Sequence, residues 1–326
     1  MTRPTHRRPM PLPRSLLFIP VLQESWVAKA QRFRPDGVIL DLEDSVPPAE
    51  KPRCRTLVRG QIETLSGFGI LPTVRINGLD EGGFDDLEHV VSPRLHALVV
   101  PKTGTREGVL ELCDRLSWHE GKAGVARGAT KLILLLETAA GIHDGAALAQ
   151  ISPRVIGLFG AMSGPIVGDI ARAVNILPSV EGDEQGFYAS KLVLDTRAAG
   201  RELAVAAITG TALDDIALVR RLCERARRYG FTTMALIHPS HVAVANEVFT
   251  PTAAETEEAV GLIQAMAEAE RRGLAAVRYR DRMVDYAMLP TAGALLDEAL
   301  RRGVLALDTL PADQAFDPWR TAAAHR

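Results

Sequence analysis

The segment KLILLLETAAGI, Lys131–Ile142, is the clearest indication of the fold of this chain. Its apolar residues follow one another without polar alternation and lead directly to Glu137. Such a run is typical of a strand buried on both faces, although a buried helical segment has the same pattern. The run is short, and TAAG follows it as a helix would begin, so we favour the strand. A carboxylate at the C-terminal end of such a strand lies where α/β folds keep their chemistry, and its burial requires a cation or strong donors.

Similar apolar segments recur along the chain and alternate with helical patterns. The predicted strands are Ser15–Pro20, Gly37–Leu42, Leu71–Ile76, Ala97–Pro101, the run ending at Glu137, Val155–Gly160, Leu203–Ile208 and Thr232–Ile237. This alternation indicates right-handed βαβ units, and about eight of them indicate an α/β fold of the (β/α)8 TIM-barrel type. An open doubly wound sheet is the alternative, but no GxGxxG turn follows the first strand.

Composition excludes several classes of protein. The net charge of −2 gives no electrostatic basis for binding nucleic acid or an anionic membrane. No segment approaches the roughly 18 apolar residues of a membrane span. The isolated cysteines Cys54, Cys113 and Cys223 suit a reducing compartment better than a disulfide framework or a zinc site. We therefore expect a cytoplasmic protein.

The chain is predicted to divide into three parts. Residues 1–13 are basic and proline-rich, without the apolar segment of a secretory signal, and are expected to form a flexible tail. Residues 14–250 are expected to form the catalytic barrel. Residues 251–326 are expected to form a C-terminal helical arm that contributes to an oligomer and to a neighbouring active site. The arm is too short for a core of its own and ends in a loose tail.

Eight motifs, in order, resemble those of the HpcH/HpaI aldolase and citrate lyase β-subunit family, and most closely its CitE-like CoA-ester lyase branch. The motifs are RSLLFIP (Arg14–Pro20), VILDLEDSV (Val38–Val46), VRIN (Val74–Asn77), VVPK (Val99–Lys102), LLETAAGI (Leu135–Ile142), LFGA (Leu158–Ala161), ALIHPSHVAVANEVFTP (Ala235–Pro251) and MVDYAMLP (Met283–Pro290). The resemblance implies a TIM barrel with Mg²⁺ at its mouth, Mn²⁺ being an alternative, in a homotrimer or hexamer. It implies that a 3-hydroxyacyl-CoA of the malyl-, citramalyl- or citryl-CoA type is cleaved to, or formed from, an acyl-CoA and a 2-oxo acid. Some relatives hydrolyse the thioester instead.

The resemblance also implies roles for individual residues. Glu137 is expected to bind the metal and, with it, the substrate. Arg75 is expected to bind a substrate carboxylate and to stabilise the enolate. Asp285 is expected to reach a neighbouring subunit's site and to act as general base. From the residues alone, Glu137 could instead form a salt bridge to Arg75 or Lys102, and Asp285 could be an exposed helical residue.

The acids Asp41, Glu43 and Asp44 stand together in the motif DLED. Three acids so close in sequence cannot all be buried and ionised without cations. The resemblance implies that Glu43 and Asp44 lie near the waters of the metal and near Arg75, which makes Asp44 a candidate catalytic residue. Alternatively, these acids could form an acidic cap at the start of the following helix. For Asp41, a place beside the metal site and a place in the helix cap are equally favoured.

Four further residues are weaker candidates. Ser15 and Phe18 on the first strand are expected to line the barrel floor or the thioester end of the substrate pocket. Lys102 is expected either to bind a phosphate of CoA or to form an ion pair with an acidic side chain. A His at a strand end is more often a hydrogen-bonded structural residue than a catalyst, so we favour a structural role for His238.

The chain departs from the family after the sixth strand. Most relatives have a stretch like FGAED there, whose Asp is the second metal ligand, whereas this chain has FGAMSGPIVGDI. Met162 stands where an acid is usual, and Ser163 stands at the ligand position. Either Asp169 reaches the metal, or Ser163 holds a water and leaves Glu137 as the only protein carboxylate. Two other interpretations stay open: a metal-dependent aldolase of free 2-oxo acids without CoA, and a non-catalytic barrel with a degraded metal site.

Overall fold

Eight parallel strands close into a barrel in which each strand pairs with its neighbours in sequence and the eighth pairs with the first. The computed structural model describes residues 12–161, 167–208 and 213–319. The strands are β1 (Ser15–Pro20), β2 (Gly37–Asp41), β3 (Leu71–Arg75), β4 (Ala97–Val100), β5 (Lys131–Leu135), β6 (Val155–Ala161), β7 (Leu203–Ala207) and β8 (Thr233–Leu236). The predicted (β/α)8 fold is confirmed.

Helices follow the strands and cover the outside of the barrel. They are α1 (Glu24–Lys29), α2 (Lys51–Gly67), α3 (Gly83–Val90), α4 (Arg106–Lys122), α5 (Ala139–His143), α6 (Gly145–Gln150), α7 (Asp169–Val174), α8 (Gly186–Ala198), α9 (Ile216–Tyr229) and α10 (Val242–Val248). The short helices α3, α7 and α10 were not predicted, because each presents only one or two turns of apolar periodicity. No helix in the described part of the chain combines the length and the apolar character needed to cross a membrane.

The strands bury both of their faces, which explains their continuous apolar sequences. Inward-facing side chains such as Ile39, Ile133 and Val205 form one cluster inside the barrel. The opposite faces pack against the helices in a second, larger cluster. Gly157 allows β6 to approach β7, because a Cβ at this position would lie 2.1 Å from the Leu203 carbonyl oxygen. Two buried faces on every strand are the expected arrangement of a parallel barrel.

The position of Glu137 follows from where β5 ends. The strand stops at Leu135, and the side chain of Thr138 caps α5 by accepting a hydrogen bond from the Gly141 N–H at 3.0 Å. Glu137 therefore occupies the short connection between strand and helix. Because all eight strands are parallel, this connection lies at the same end of the barrel as the ends of β2, β3 and β4, and that end holds the active sites of such barrels.

The residues from Thr250 onward form a separate compact unit. It contains α11 (Ala253–Arg271), the antiparallel pair β9 (Ala276–Tyr279) and β10 (Arg282–Asp285), and α12 (Leu289–Arg301). Ile263, Leu296 and Phe316 belong to a hydrophobic cluster within this unit, and Phe316 is fully buried. The expectations of a segment without its own core and of a loose tail were therefore wrong for the residues up to 319. Residues 1–11 of the predicted N-terminal tail lie outside the described chain.

Candidate active site

A cavity of about 760 Å³ opens at the C-terminal ends of the barrel strands. Six of the residues predicted from the sequence line it: Phe18, Asp44, Arg75, Lys102, Glu137 and Asp169. They come from strand ends and from the connections that follow them, which parallel strands bring to one rim. The cavity is therefore the candidate active site.

Arg75 is fixed by carboxylates on the neighbouring strand β2. Its Nε and Nη2 donate to the two carboxylate oxygens of Asp41, each at 2.7 Å, in a bidentate pair between register partners of β2 and β3. Its Nη1 lies 2.8 Å from Glu43 and 3.5 Å from Asp44. Asp41 is buried and also accepts the backbone N–H groups of Glu43 and Ser45. This arrangement leaves the exposed Asp44 as the most weakly held partner of the guanidinium.

Glu43 contacts two cations of the site, Arg75 and Lys102. Its second carboxylate oxygen lies 3.1 Å from the Lys102 ammonium, which also reaches Glu81 at 3.4 Å. Burial raises the pKa of Glu43, and the positive charge of Arg75 opposes part of that effect. Lys102 thus pairs with acids, which was one of its two predicted roles.

Glu137 stands apart from these ion pairs. It is 9% exposed, and its Oε1 accepts the backbone N–H of Lys102 at 2.9 Å. Within the described part of the chain it forms no ion pair, so the alternative of a salt bridge to Arg75 or Lys102 is not observed. Burial and the nearby negative charge of Glu43 raise the pKa of Glu137 to about 7. A cation beside this carboxylate would remove the cost of ionising it there.

The donor set fits a Mg²⁺ ion held mainly by one carboxylate. No group of three or more His, Cys, Asp or Glu side chains that could hold a metal occurs among residues 12–161, 167–208 and 213–319. Asp169 lines the cavity but pairs with Arg172. Met162 and Ser163 lie outside the described residues. Mg²⁺ commonly keeps several waters and binds through one or two carboxylates together with substrate oxygens, and Glu137 satisfies this requirement.

Aromatic rings form the floor beneath Arg75. The Cζ atom of Arg75 lies 5.2 Å from the ring centroid of Phe18, a cation–π distance, and the Phe18 and Phe159 rings are 6.3 Å apart. Both rings line the cavity. They limit the water around the guanidinium and so strengthen its interaction with any bound anion.

Three further predicted residues make local hydrogen bonds. Ser15 is fully buried at the N-terminal end of β1, where its hydroxyl donates to Asn246 and accepts from the Asp36 N–H. Its predicted role in substrate binding is therefore wrong, because the N-terminal end of a parallel strand faces away from the barrel mouth. His238 caps the turn that follows β8. Asp285 ends β10 and accepts the Ala287 N–H at 2.9 Å, so it is not in a helix.

Sequence reasoning missed several residues of the cavity wall. Trp26, Tyr188 and Gln185 line it from helices or from the turns before them. The predicted site residues stand mainly at strand ends, and nothing in the sequence marks a helical side chain as facing the mouth. Arg172 was also missed, although its spacing of three residues from Asp169 is that of a helical ion pair.

The fold agrees with the comparisons with known proteins. The family model described as HpcH/HpaI aldolase/citrate lyase matches residues 14–239. The chain therefore belongs to this family, and the predicted family is confirmed.

Individual relatives resemble the chain over most of its length. It is 30% identical over 298 residues to citrate lyase subunit beta of Haemophilus influenzae, covering 89% of this chain and 98% of that protein. It is 32% identical over 290 residues to (3S)-malyl-CoA thioesterase of Cereibacter sphaeroides, covering 88% of this chain and 94% of that protein. Among solved structures, Mycobacterium tuberculosis CitE in complex with magnesium, acetoacetate and coenzyme A matches with a TM-score of 0.67 and 25% identity. That match covers 87% of this chain and 97% of the other.

Proposed function

We propose that this protein is a Mg²⁺-dependent carbon–carbon lyase. It acts on a 3-hydroxyacyl-CoA of the malyl-, citramalyl- or citryl-CoA type and interconverts it with an acyl-CoA and a 2-oxo acid. The observation that carries the proposal is Glu137, a buried carboxylate on the cavity wall whose neighbouring cations are committed to other acids. Magnesium and coenzyme A in the complex of the M. tuberculosis relative support the choice of metal and substrate class.

Glu137 would hold the metal, and Asp169, which lines the same cavity, would supply a second ligand or support a bound water. A bound Mg²⁺ ion supplies Lewis-acid polarisation of the hydroxyl and carboxylate oxygens of the substrate. The Lys102 N–H already occupies one oxygen of Glu137. This hydrogen bond orients the carboxylate, as partners of metal ligands commonly do.

Arg75 binds the carboxylate of the acid portion. Asp41 holds its Nε and Nη2 and so fixes the plane of the guanidinium. The contact with Asp44 is the longest, at 3.5 Å, and Asp44 is 57% exposed, so a substrate carboxylate can take its place on Nη1. Asp44 then lies beside the bound acid as a polar group at the rim. Lys102 faces the cavity and neutralises Glu43.

Asp285 acts as the general base, contributed by a neighbouring chain of a homotrimer or hexamer in the cytoplasm. In cleavage it takes the proton of the 3-hydroxyl, and that oxygen becomes the carbonyl of the 2-oxo acid. The electrons of the broken C–C bond pass to the thioester as an enolate, which then takes a proton to give the acyl-CoA. Arg75 stabilises negative charge that develops on oxygen.

Hydrolysis of the thioester is the second candidate function. The similarity to (3S)-malyl-CoA thioesterase, at 32% identity over most of both chains, favours it. The two reactions differ in product: a lyase releases a 2-oxo acid and no free thiol, whereas a thioesterase releases a hydroxy acid and free CoA.

The test is to incubate malyl-, citramalyl- and citryl-CoA with the protein and Mg²⁺ and to measure 2-oxo acid and free thiol separately. We expect oxo acid in equal amount to the substrate consumed, and its loss in Glu137→Gln, Arg75→Ala and Asp285→Asn. Glu63→Gln, at an exposed position on α2, is the control and should keep full activity. Thiol release alone would favour the thioesterase, and full activity in all three variants would reject the site assignment. Tight binding of pyruvate with no response to any CoA ester would favour the free-acid aldolase.

A further inference from the structure

Every cation on the described wall of the cavity already has a carboxylate partner. The pairs are Arg75 with Asp41, Glu43 and Asp44, Lys102 with Glu43 and Glu81, and Arg172 with Asp169. The segments 162–166 and 209–212, which lie outside the described residues, contain no charged residue in the sequence. Among the described residues, the cavity wall thus offers an incoming anion no cation that is free of an acid.

The charge balance of the site is negative. Asp41, Asp44, Glu137 and Asp169 line the cavity together with the three cations, and Glu43 and Glu81 contact those cations. Six carboxylates therefore face three positive side chains. A Mg²⁺ ion would leave this balance at −1, and the first carboxylate of an oxo acid would make it more negative.

The rest of the wall is largely apolar. Phe159, Ile170, Ile176, Ala207 and Ile237 line the cavity from β6, from α7 and the turn after it, and from the ends of β7 and β8. An alkyl group placed against these side chains leaves water, which contributes roughly 0.8 kcal/mol for each buried CH₂. A second carboxylate placed there would lose its hydration without gaining an ion pair.

We infer that the oxo acid accepted by this cavity is a monocarboxylate with an apolar side chain, and that 2-oxo dicarboxylates are excluded. The inference rests on the proposed function and narrows it to one class of oxo acid. A site discriminates strongly against a ligand whose polar group would be buried without a partner. This effect is larger than the discrimination that a difference in ligand size produces. The corresponding thioester substrate would carry one free carboxylate.

The ligands 2-oxobutyrate and oxaloacetate test this inference, because they differ only by a terminal methyl in place of a carboxylate. Their dissociation constants are measured by calorimetry with the full-length protein and Mg²⁺, which requires no turnover. We expect 2-oxobutyrate to bind at least about tenfold more tightly. Equal or tighter binding of oxaloacetate would overturn the inference and leave the lyase proposal intact. Binding of neither ligand would reject the proposed function itself.

A matched pair of variants tests the physical cause. Ile237 lines the cavity and is 42% exposed, so a longer side chain can be accommodated there. Ile237→Lys adds the missing cation, and Ile237→Met adds similar length without charge. We expect Ile237→Lys to reduce the preference for 2-oxobutyrate at least about threefold relative to Ile237→Met. The same ratio of dissociation constants in both variants would contradict the charge argument.

Discussion

Replacing Glu137 by Gln should make the metal-free protein more stable at neutral pH and should abolish its stabilisation by Mg²⁺. Glutamine has nearly the same shape and can still accept the Lys102 N–H, which Glu137 accepts at 2.9 Å. The substitution therefore removes the buried charge and little else. An isolated buried carboxylate destabilises the fold whenever it is ionised, and the neutral amide does not.

The magnitude follows from the pKa of Glu137, which burial raises from 4.5 to about 7. The folded chain holds this proton more tightly than the unfolded chain does. The resulting stabilisation is complete below a pH of about 4.5 and is lost as the pH rises through about 7. At about 1.4 kcal/mol for each pH unit between the two pKa values, the free energy of unfolding should fall by about 3 kcal/mol. Glu137→Gln should lack this component of the pH dependence.

Urea unfolding of the wild type, Glu137→Gln and the exposed control Glu63→Gln is measured with chelator at about pH 4.5 and about pH 8. The wild type and Glu63→Gln should lose stability relative to Glu137→Gln between these pH values. At a hundredfold excess of Mg²⁺ over its Kd, the wild type at about pH 8 should regain about 2.7 kcal/mol, and Glu137→Gln should regain nothing. Identical pH dependence in all three proteins would refute the reasoning.

The other predictions concern the supports of the site and of the fold. Arg154→Ala breaks a buried ion pair with Glu120 at 2.7 Å and should lower the free energy of unfolding by about 3–5 kcal/mol in urea titrations, with Mg²⁺ binding unchanged. Phe316→Ala leaves a cavity in the hydrophobic cluster of the second unit and should lower its free energy of unfolding by about 3–5 kcal/mol. Limited proteolysis should then cleave that unit first. Asp41→Asn removes one of the two carboxylate oxygens that accept hydrogen bonds from Arg75 and should lower kcat/KM about tenfold. An unchanged kcat/KM would show that the bidentate pair is dispensable.

Much of the barrel could be predicted because its strands are buried on both faces and read as continuous apolar runs. The predicted strand Leu203–Ile208, for example, is observed as Leu203–Ala207. The β9–β10 hairpin was missed because Arg280 and Asp281 make its turn with φ of 44° and 62°. Glycine and asparagine are the usual signals for such a turn, and neither is present. The burial of Phe316 depends on packing against distant helices, which the local sequence does not reveal.

The rim of the site could be predicted, but the pairing of its charges could not. Arg75 ends β3 and Glu137 follows the end of β5, so the sequence allowed an ion pair between them. In the barrel, β3 lies next to β2, whereas β4 lies between β3 and β5. The register partner of Arg75 is therefore Asp41 on β2, and not a residue that follows β5. Ser15 was misplaced for a related reason. It begins its strand, and a residue at the start of a parallel strand lies at the end of the barrel away from the mouth.

Calorimetric titration of Mg²⁺ in the presence of a 2-oxo monocarboxylate tests most directly whether Glu137 is the carboxylate that holds the metal. The wild type and Glu63→Gln should bind the ion with equal affinity, and Glu137→Gln should show no binding heat. Equal affinity of all three proteins for Mg²⁺ would contradict the assignment of Glu137 as the metal ligand.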